Sequence, residues 1–172
     1  YLNGERNGKG KEYDYDGELE FEGEYLNGKR NGKGKEYNYD GKLEFEGEYL
    51  NGKRRKGKEY YYNGELIFEG EYLNGKRWNG KGKEYYNGEL IFEGEYLDGK
   101  RRKGKEYYYN GKLIFEGEYL NGKRRKGKKY YNGKLIFEEK YLNGKRWNGK
   151  GKEYCDGKLE FDGEYLNGER IE

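Results

Sequence analysis

The run Leu66-Ile67-Phe68-Glu69-Gly70-Glu71-Tyr72 alternates along the chain. Leu66, Phe68, Gly70 and Tyr72 fall on one side of an extended backbone, and Ile67, Glu69 and Glu71 on the other. Period two with charge on one face predicts a β-strand in a sheet with one buried side. The run recurs within a Glu-Tyr-Leu-(Asn/Asp)-Gly frame whose tyrosines are Tyr25, Tyr49, Tyr72, Tyr96, Tyr119 and Tyr165. A degraded copy stands at Tyr141 and a truncated one at Tyr1. Successive frame tyrosines lie 24, 24, 23, 24, 23, 22 and 24 residues apart. A fixed period of this size predicts a stacked array, read as one continuous series of repeats over residues 1–172 without separate domains.

Each period also holds two short extended runs around Asp16-Gly17, Asp40-Gly41, Asn63-Gly64, Asn87-Gly88, Asn110-Gly111, Asn132-Gly133 or Asp156-Gly157, which predicts a β-hairpin with its tip at that pair. The fold class expected is therefore all-β: an elongated single-layer antiparallel sheet of stacked hairpins. Two strands per repeat at the usual spacing advance the ribbon by roughly 10 Å per repeat, or about 70 Å in all. The strand glycines Gly23, Gly47, Gly70, Gly94, Gly117 and Gly163 sit on the aromatic side, where the missing side chain leaves a slot for a neighbouring ring. Tyr60 stands three residues before Asn63 but Tyr85 only two before Asn87, so keeping the first tyrosine opposite the leucine requires a three-residue loop with a glycine bulge in the longer form. Length changes are thus expected at tips rather than in strands. Trp78 and Trp147, in the longest connections, are expected either to cover an edge or to pack on their own loops.

Composition narrows the chemistry. The chain contains no Ser, Thr, Ala, Val, Gln, His, Met or Pro. That removes serine, threonine and histidine catalysis and histidine metal ligation, and leaves tyrosine as the one phosphorylatable type. A charged fraction of 41% would suggest disorder, but 19% aromatic residues and a net charge of only +3 oppose it, since tyrosine can bury its ring and wet its hydroxyl. Cys155 is the single cysteine; no intrachain disulfide can form, which fits a reducing, cytoplasmic compartment. No stretch approaches the length of an apolar membrane span. The chain opens mid-repeat without Met, which predicts a piece of a longer array.

The frame aromatic-x-Gly-x-aromatic-x-x-Gly, a basic pair and Gly-x-Gly, carried by Phe68, Gly70, Tyr72, Gly75, Lys76, Arg77, Gly80 and Gly82, resembles the MORN repeat. It recurs at Phe21, Gly23, Tyr25, Gly28, Gly32 and Gly34, and at Phe92, Gly94, Tyr96 and Gly99, about seven times over the chain. The resemblance implies a non-catalytic scaffold of membrane-linked or cytoskeletal assemblies that often dimerises and has been proposed to bind phosphoinositides. Two departures stand out: Glu138-Glu139-Lys140 lacks the strand glycine, predicting an irregularity near residues 137–141, and the Lys-Arg-Arg-Lys-Gly stretches are one glycine short.

Three functional classes are compatible with the sequence to different degrees. A scaffold for protein partners or self-association, lateral or end to end, follows from the repeated architecture. Its candidate docking strip is Ile67, Ile91, Ile114 and Ile136, on the otherwise charged face, against the alternative that these residues serve β-propensity alone. Binding of anionic lipid would use the basic edge: Lys53, Arg54, Arg55, Lys56 and Lys58; Arg101, Arg102, Lys103 and Lys105; Arg124, Arg125 and Lys126. The competing reading of that edge is a solvated rim that blocks strand pairing. An enzyme with paired glutamates is disfavoured because every repeat carries the same glutamates. No cofactor, metal or nucleic acid is expected.

Overall fold

The computed structural model describes residues 2–156 and 158–171. The truncated frame at Tyr1 and the glycine of the Asp156-Gly157 tip lie outside the described residues. The chain divides into two compact units, residues 1–82 and 83–172. The first holds β1 (Gly8–Tyr13), β2 (Leu19–Leu26), β3 (Lys29–Tyr37), β4 (Leu43–Leu50), β5 (Lys53–Tyr60) and β6 (Leu66–Leu73), and the division falls within β7 (Lys76–Tyr86). The second holds β8 (Glu89–Leu97), β9 (Lys100–Tyr107), β10 (Leu113–Leu120), β11 (Lys123–Tyr131), β12 (Lys134–Leu142), β13 (Lys145–Cys155), β14 (Lys158–Leu166) and β15 (Glu169–Ile171). Within each unit the strands run antiparallel in chain order and the sheet stays open, as the hairpin pattern predicts. Among the described residues there is no helix.

Both kinds of connection follow from turn chemistry. Leu73 pairs with Lys76 around Asn74 (φ 53°) and Gly75 (φ 79°), a two-residue turn that needs two left-handed residues in succession, and the other Tyr-Leu-(Asn/Asp)-Gly tips repeat it. The longer second tip behaves as expected: Tyr61 donates its N–H to the Glu65 carbonyl and Gly64 to the Tyr61 carbonyl, closing a three-residue loop on a left-handed glycine. Tyr60 accordingly faces Leu66.

The opposite connection departs from expectation. Its tips are all short, and its length differences are taken up inside the strands. In β5 the single Gly57 faces both Gly47 and Gly70. In β13, lengthened by Trp147-Asn148, Gly149 faces Glu139 on one side and Gly151 faces Gly163 on the other. A bulge after the arginine is common to both lengths, from Tyr49–Arg54 to Glu48–Lys56 and from Tyr141–Arg146 to Lys140–Asn148, so the two extra residues show as a shift in pairing further along: Phe45 faces Glu59, but Phe137 faces Gly151. The Trp147 ring lies against Gly168 of the following tip, whose N–H the Trp147 carbonyl accepts, while Asn148 Oδ1 accepts from the Asn167 N–H.

Glycines line up across the sheet. In the first unit Gly10, Gly23, Gly34, Gly47, Gly57, Gly70 and Gly80 face one another strand by strand. A Cβ on Gly34 would stand 2.4 Å from the Phe21 ring and 3.1 Å from the Tyr49 ring, whereas one on Gly23 would meet the Lys33 carbonyl oxygen at 2.6 Å, the Gly34 Cα at 2.7 Å and its own strand's Phe21 ring at 2.7 Å. In the second unit the row is interrupted by Glu139, held at φ 106°, where a β-carbon is strained. This is the irregularity foreseen near residues 137–141. Glu139→Gly is expected to raise stability by about 1 kcal/mol, read as a higher urea midpoint at unchanged slope; no gain would show that the strain is relaxed in solution.

The core is one aromatic chain per unit. Phe21, Phe45 and Phe68 are fully buried, and Tyr49 and Tyr72 each meet their own strand's phenylalanine and that of the preceding repeat edge to face: Phe21–Tyr49 at 5.1 Å, Phe45–Tyr49 at 5.5 Å, Phe45–Tyr72 at 5.4 Å, Phe68–Tyr72 at 5.3 Å. Phe92, Phe115, Phe137 and Phe161 continue the scheme with Tyr119, Tyr141 and Tyr165 in the second unit. Such contacts add about 0.5–1.5 kcal/mol each beyond the area they bury.

Candidate functional site

The first arginine of each basic pair belongs to this core. Arg54 lies over the Phe45 ring at 4.5 Å, Arg101 over Phe92 at 4.2 Å and Arg124 over Phe115 at 4.7 Å. Their side chains are 18%, 26% and 20% exposed, against 64% for Arg55. The cause is register: Arg54 faces Tyr49 on the aromatic side, and the bulge places Arg55 one residue out of step. Arg54, Arg101 and Arg124 are therefore withdrawn from the basic edge expected of them, and their stretches lie in β5, β9 and β11.

Their partners are glutamates that the sequence reading passed over, the glutamate of each Gly-Lys-Glu-Tyr. Glu59 accepts from the Tyr72 hydroxyl at 3.0 Å and from Arg77 at 2.9 and 3.0 Å. Glu106 accepts from Tyr119 at 2.7 Å and from Arg124, and Glu84 from Tyr96 and Arg101, both at 2.6 Å. Glu12 with Tyr25 and Arg30, Glu36 with Tyr49 and Arg54, and Glu153 with Tyr165 and Arg170 repeat the unit. Arg30 also reaches Glu36 at 3.1 Å, so the cation ties one repeat to the next. The signal was present: Lys-Glu-Tyr recurs at a fixed place, and period two sets its glutamate on the Phe and Tyr face.

The outer face carries two ladders of alternating charge. One runs Lys11, Glu22, Lys35, Glu46, Lys58, Glu69; the other includes Lys33, Glu48, Lys56, Glu71, with each residue opposite its neighbour in the list. In the first unit they flank the glycine row and form a groove of about 890 Å³, floored by Gly23, Gly34, Gly47 and Gly57 and walled by these lysines and glutamates. Lys56 and Lys58 of the expected basic edge thus stand between glutamates. So do Lys103, between Glu95 and Glu118, and Lys105, between Glu93 and Glu116. Lys126 faces Glu118 on one side but Lys140 on the other. Lys53, Arg102 and Arg125 are exposed, and Arg55 is 3.6 Å from Glu48. The first tyrosine before each tip lies on this face too, not in the core: Tyr37 donates to Glu22 and Tyr60 to Glu46, both at 2.7 Å.

The isoleucine strip is not an exposed surface. Ile67, Ile91 and Ile114 are half-buried and Ile136 is buried. Tyr60 faces Leu66 while Glu59 faces Phe68, so Ile67 is the extra residue of a bulge, where strict alternation fails. Ile114 and Ile136 occupy the same step. The exposed apolar residues include the leucines before the Asn-Gly tips, among them Leu26, Leu50 and Leu120, and tyrosines near the other tips, among them Tyr15, Tyr39 and Tyr62. Gly94, Gly104, Gly117 and Gly127 form the second unit's glycine row.

Electrostatics follow the pairing. Burial alone would raise the Glu59 and Glu106 carboxyls, but the hydrogen bonds and charges of Arg77 and Arg124, with the tyrosine hydroxyls, hold both below the ordinary carboxylate range. Burial, then the bond to Glu12, pushes Tyr25 from 10 up to about 12; burial, then Glu22 and Glu46, does the same for Tyr37 and Tyr60. A depressed carboxyl contributes stability above its unfolded value and loses it as pH falls through the folded one. A raised tyrosine contributes fully below 10 and loses that share as pH rises through about 12. Urea midpoints across pH are therefore expected to fall at both ends; a midpoint unchanged from pH 10 to 12 would contradict the tyrosine pairing.

Among the described residues, no group of three or more Cys, Asp or Glu is placed to hold a metal ion. No family model matches the chain, and no curated protein matches it.

Proposed function

We propose that the chain is a non-catalytic, MORN-like repeat scaffold that assembles with protein surfaces, a second copy of itself included, through its charged outer face. The observation that carries this reading is the pair of lysine–glutamate ladders beside the glycine-floored groove. Each ladder presents both signs at a fixed spacing, so a second copy offset by one strand offers opposite charges in register. The inner-face glutamates favour a structural role over a catalytic one, since each is occupied by a tyrosine hydroxyl and an arginine of the same fold. Sedimentation velocity over a salt series tests the proposal. Association at low salt that dissolves at high salt, and is lost when Lys56 and Lys58 are both changed to Glu, supports it. A monomer at every salt concentration contradicts self-assembly.

A second reading, binding of anionic membrane surfaces, rests on the exposed Lys53, Arg55, Arg102 and Arg125. Co-sedimentation with phosphatidylserine vesicles separates the two. Binding at low salt that is lost in Arg55→Glu with Arg102→Glu favours the membrane; absence of binding beside salt-sensitive self-association favours the scaffold.

A further inference from the structure

One repeat breaks the Glu–Tyr–Arg unit. Where the other repeats place the buried glutamate, β11 carries Lys129, which faces Phe137 across the ladder as Glu59 faces Phe68. Its ammonium has no hydrogen-bond or ion-pair partner among the described residues. The consequence falls on Tyr141, the frame tyrosine of the next strand. Its side chain is only 7% exposed, it packs between Phe115 and Phe137, and its hydroxyl is buried without a hydrogen-bond partner among the described residues. An unmade hydrogen bond of this kind costs about 1–3 kcal/mol.

Positive charge gathers at the same place. Arg146, the arginine that should clamp the absent glutamate, lies over Phe137 and reaches instead to the Tyr165 hydroxyl at 3.1 Å and to Glu153 at 3.5 Å. Arg124 is already bound to Glu106. Burial, then Arg146 and Arg124, pushes the Lys129 ammonium below its ordinary value. These groups open into a cavity of about 660 Å³, lined by Arg124, Lys129, Tyr141, Arg146, Trp147 and Tyr165.

We propose that this cavity is a binding site for a small carboxylate, whose oxygens take the place that the glutamate carboxylate holds in the other repeats, accepting from the Tyr141 hydroxyl and lying between Lys129 and Arg146. The fold itself supplies the argument for the ligand class: the same tyrosine and arginine, in the same register, close on a carboxylate wherever glutamate is present. Lys129 in place of a glutamate changes the local charge by two units, of which one bound monoanion offsets half. The Tyr141 hydroxyl is buried at this site, while the rim of the cavity is open at Leu142, Asn143 and Lys145 beside Trp147.

Titration calorimetry with sodium acetate, with phosphate and chloride as parallel arms at equal ionic strength, tests the assignment. Saturable acetate binding to the natural chain is expected. Lys129→Glu, which places a carboxylate in the cavity from within, is expected to abolish that binding and to raise the thermal midpoint without ligand. Tyr141→Phe keeps the ring and is expected to weaken acetate by about tenfold. Equal acetate binding by the natural chain and Lys129→Glu would overturn the proposal, as would acetate binding no stronger than chloride. Binding of phosphate alone would overturn the carboxylate assignment.

Discussion

Glu106→Leu is expected to cost about 3–5 kcal/mol, the largest loss of any charged-residue substitution in the second unit. The carboxylate is 17% exposed, and its removal strands both the Arg124 guanidinium, 20% exposed, and the Tyr119 hydroxyl. Arg124 cannot move into water without leaving the Phe115 ring, over which it lies at 4.7 Å. The urea midpoint should fall at unchanged slope. Glu118→Leu provides the comparison. Glu118 faces Lys103 and Lys126 on the outer ladder, and removing an exposed partner of this kind changes stability by about 0–1 kcal/mol. Equal losses for the two variants would mean that the inner face is as wet as the outer.

Gly47→Val should be nearly as severe. A Cβ there would stand 2.2 Å from the Lys56 carbonyl oxygen, 2.6 Å from the Gly57 Cα and 2.8 Å from the Phe45 ring. Two of these are backbone atoms of the paired strand, so relief requires β4 and β5 to separate. Overpacking into such a site costs about 3 kcal/mol or more. At Gly10 the nearest atoms belong to the Tyr25 side chain, at 3.1 Å, and Gly10→Ala should be milder. The pair is compared by denaturant midpoint and by the rate of limited proteolysis.

These substitutions show why the fold was easier to read than the site. Asn-Gly pairs and alternation specify turns and strands locally, so the hairpins, the three-residue loop at Tyr62-Asn63-Gly64 and the trouble at Glu139 were legible. The faces of Glu59 and Arg77 were legible in principle from period two, but charged residues are ordinarily assigned to solvent, and their burial depends on a tyrosine hydroxyl from the next strand. Bulges were the harder obstacle. One extra residue at Ile67 or Arg55 changes which face a side chain takes, and no periodicity reports it. In the sequence Lys129 is one more lysine among several; its consequence appears only once the Tyr141 hydroxyl is seen to lack the carboxylate that Tyr72 and Tyr119 meet.

The charges that recur in each repeat hold neighbouring repeats together, through a desolvated glutamate shared by an arginine and a tyrosine. A double-mutant cycle on Glu106 and Arg124 tests it most directly. With both changed to leucine, no buried charge is left alone, and the double variant should recover part of the loss, giving a coupling energy of at least about 1.5 kcal/mol. Losses that add within about 0.5 kcal/mol would contradict the account, because they would show that the two charges do not depend on each other.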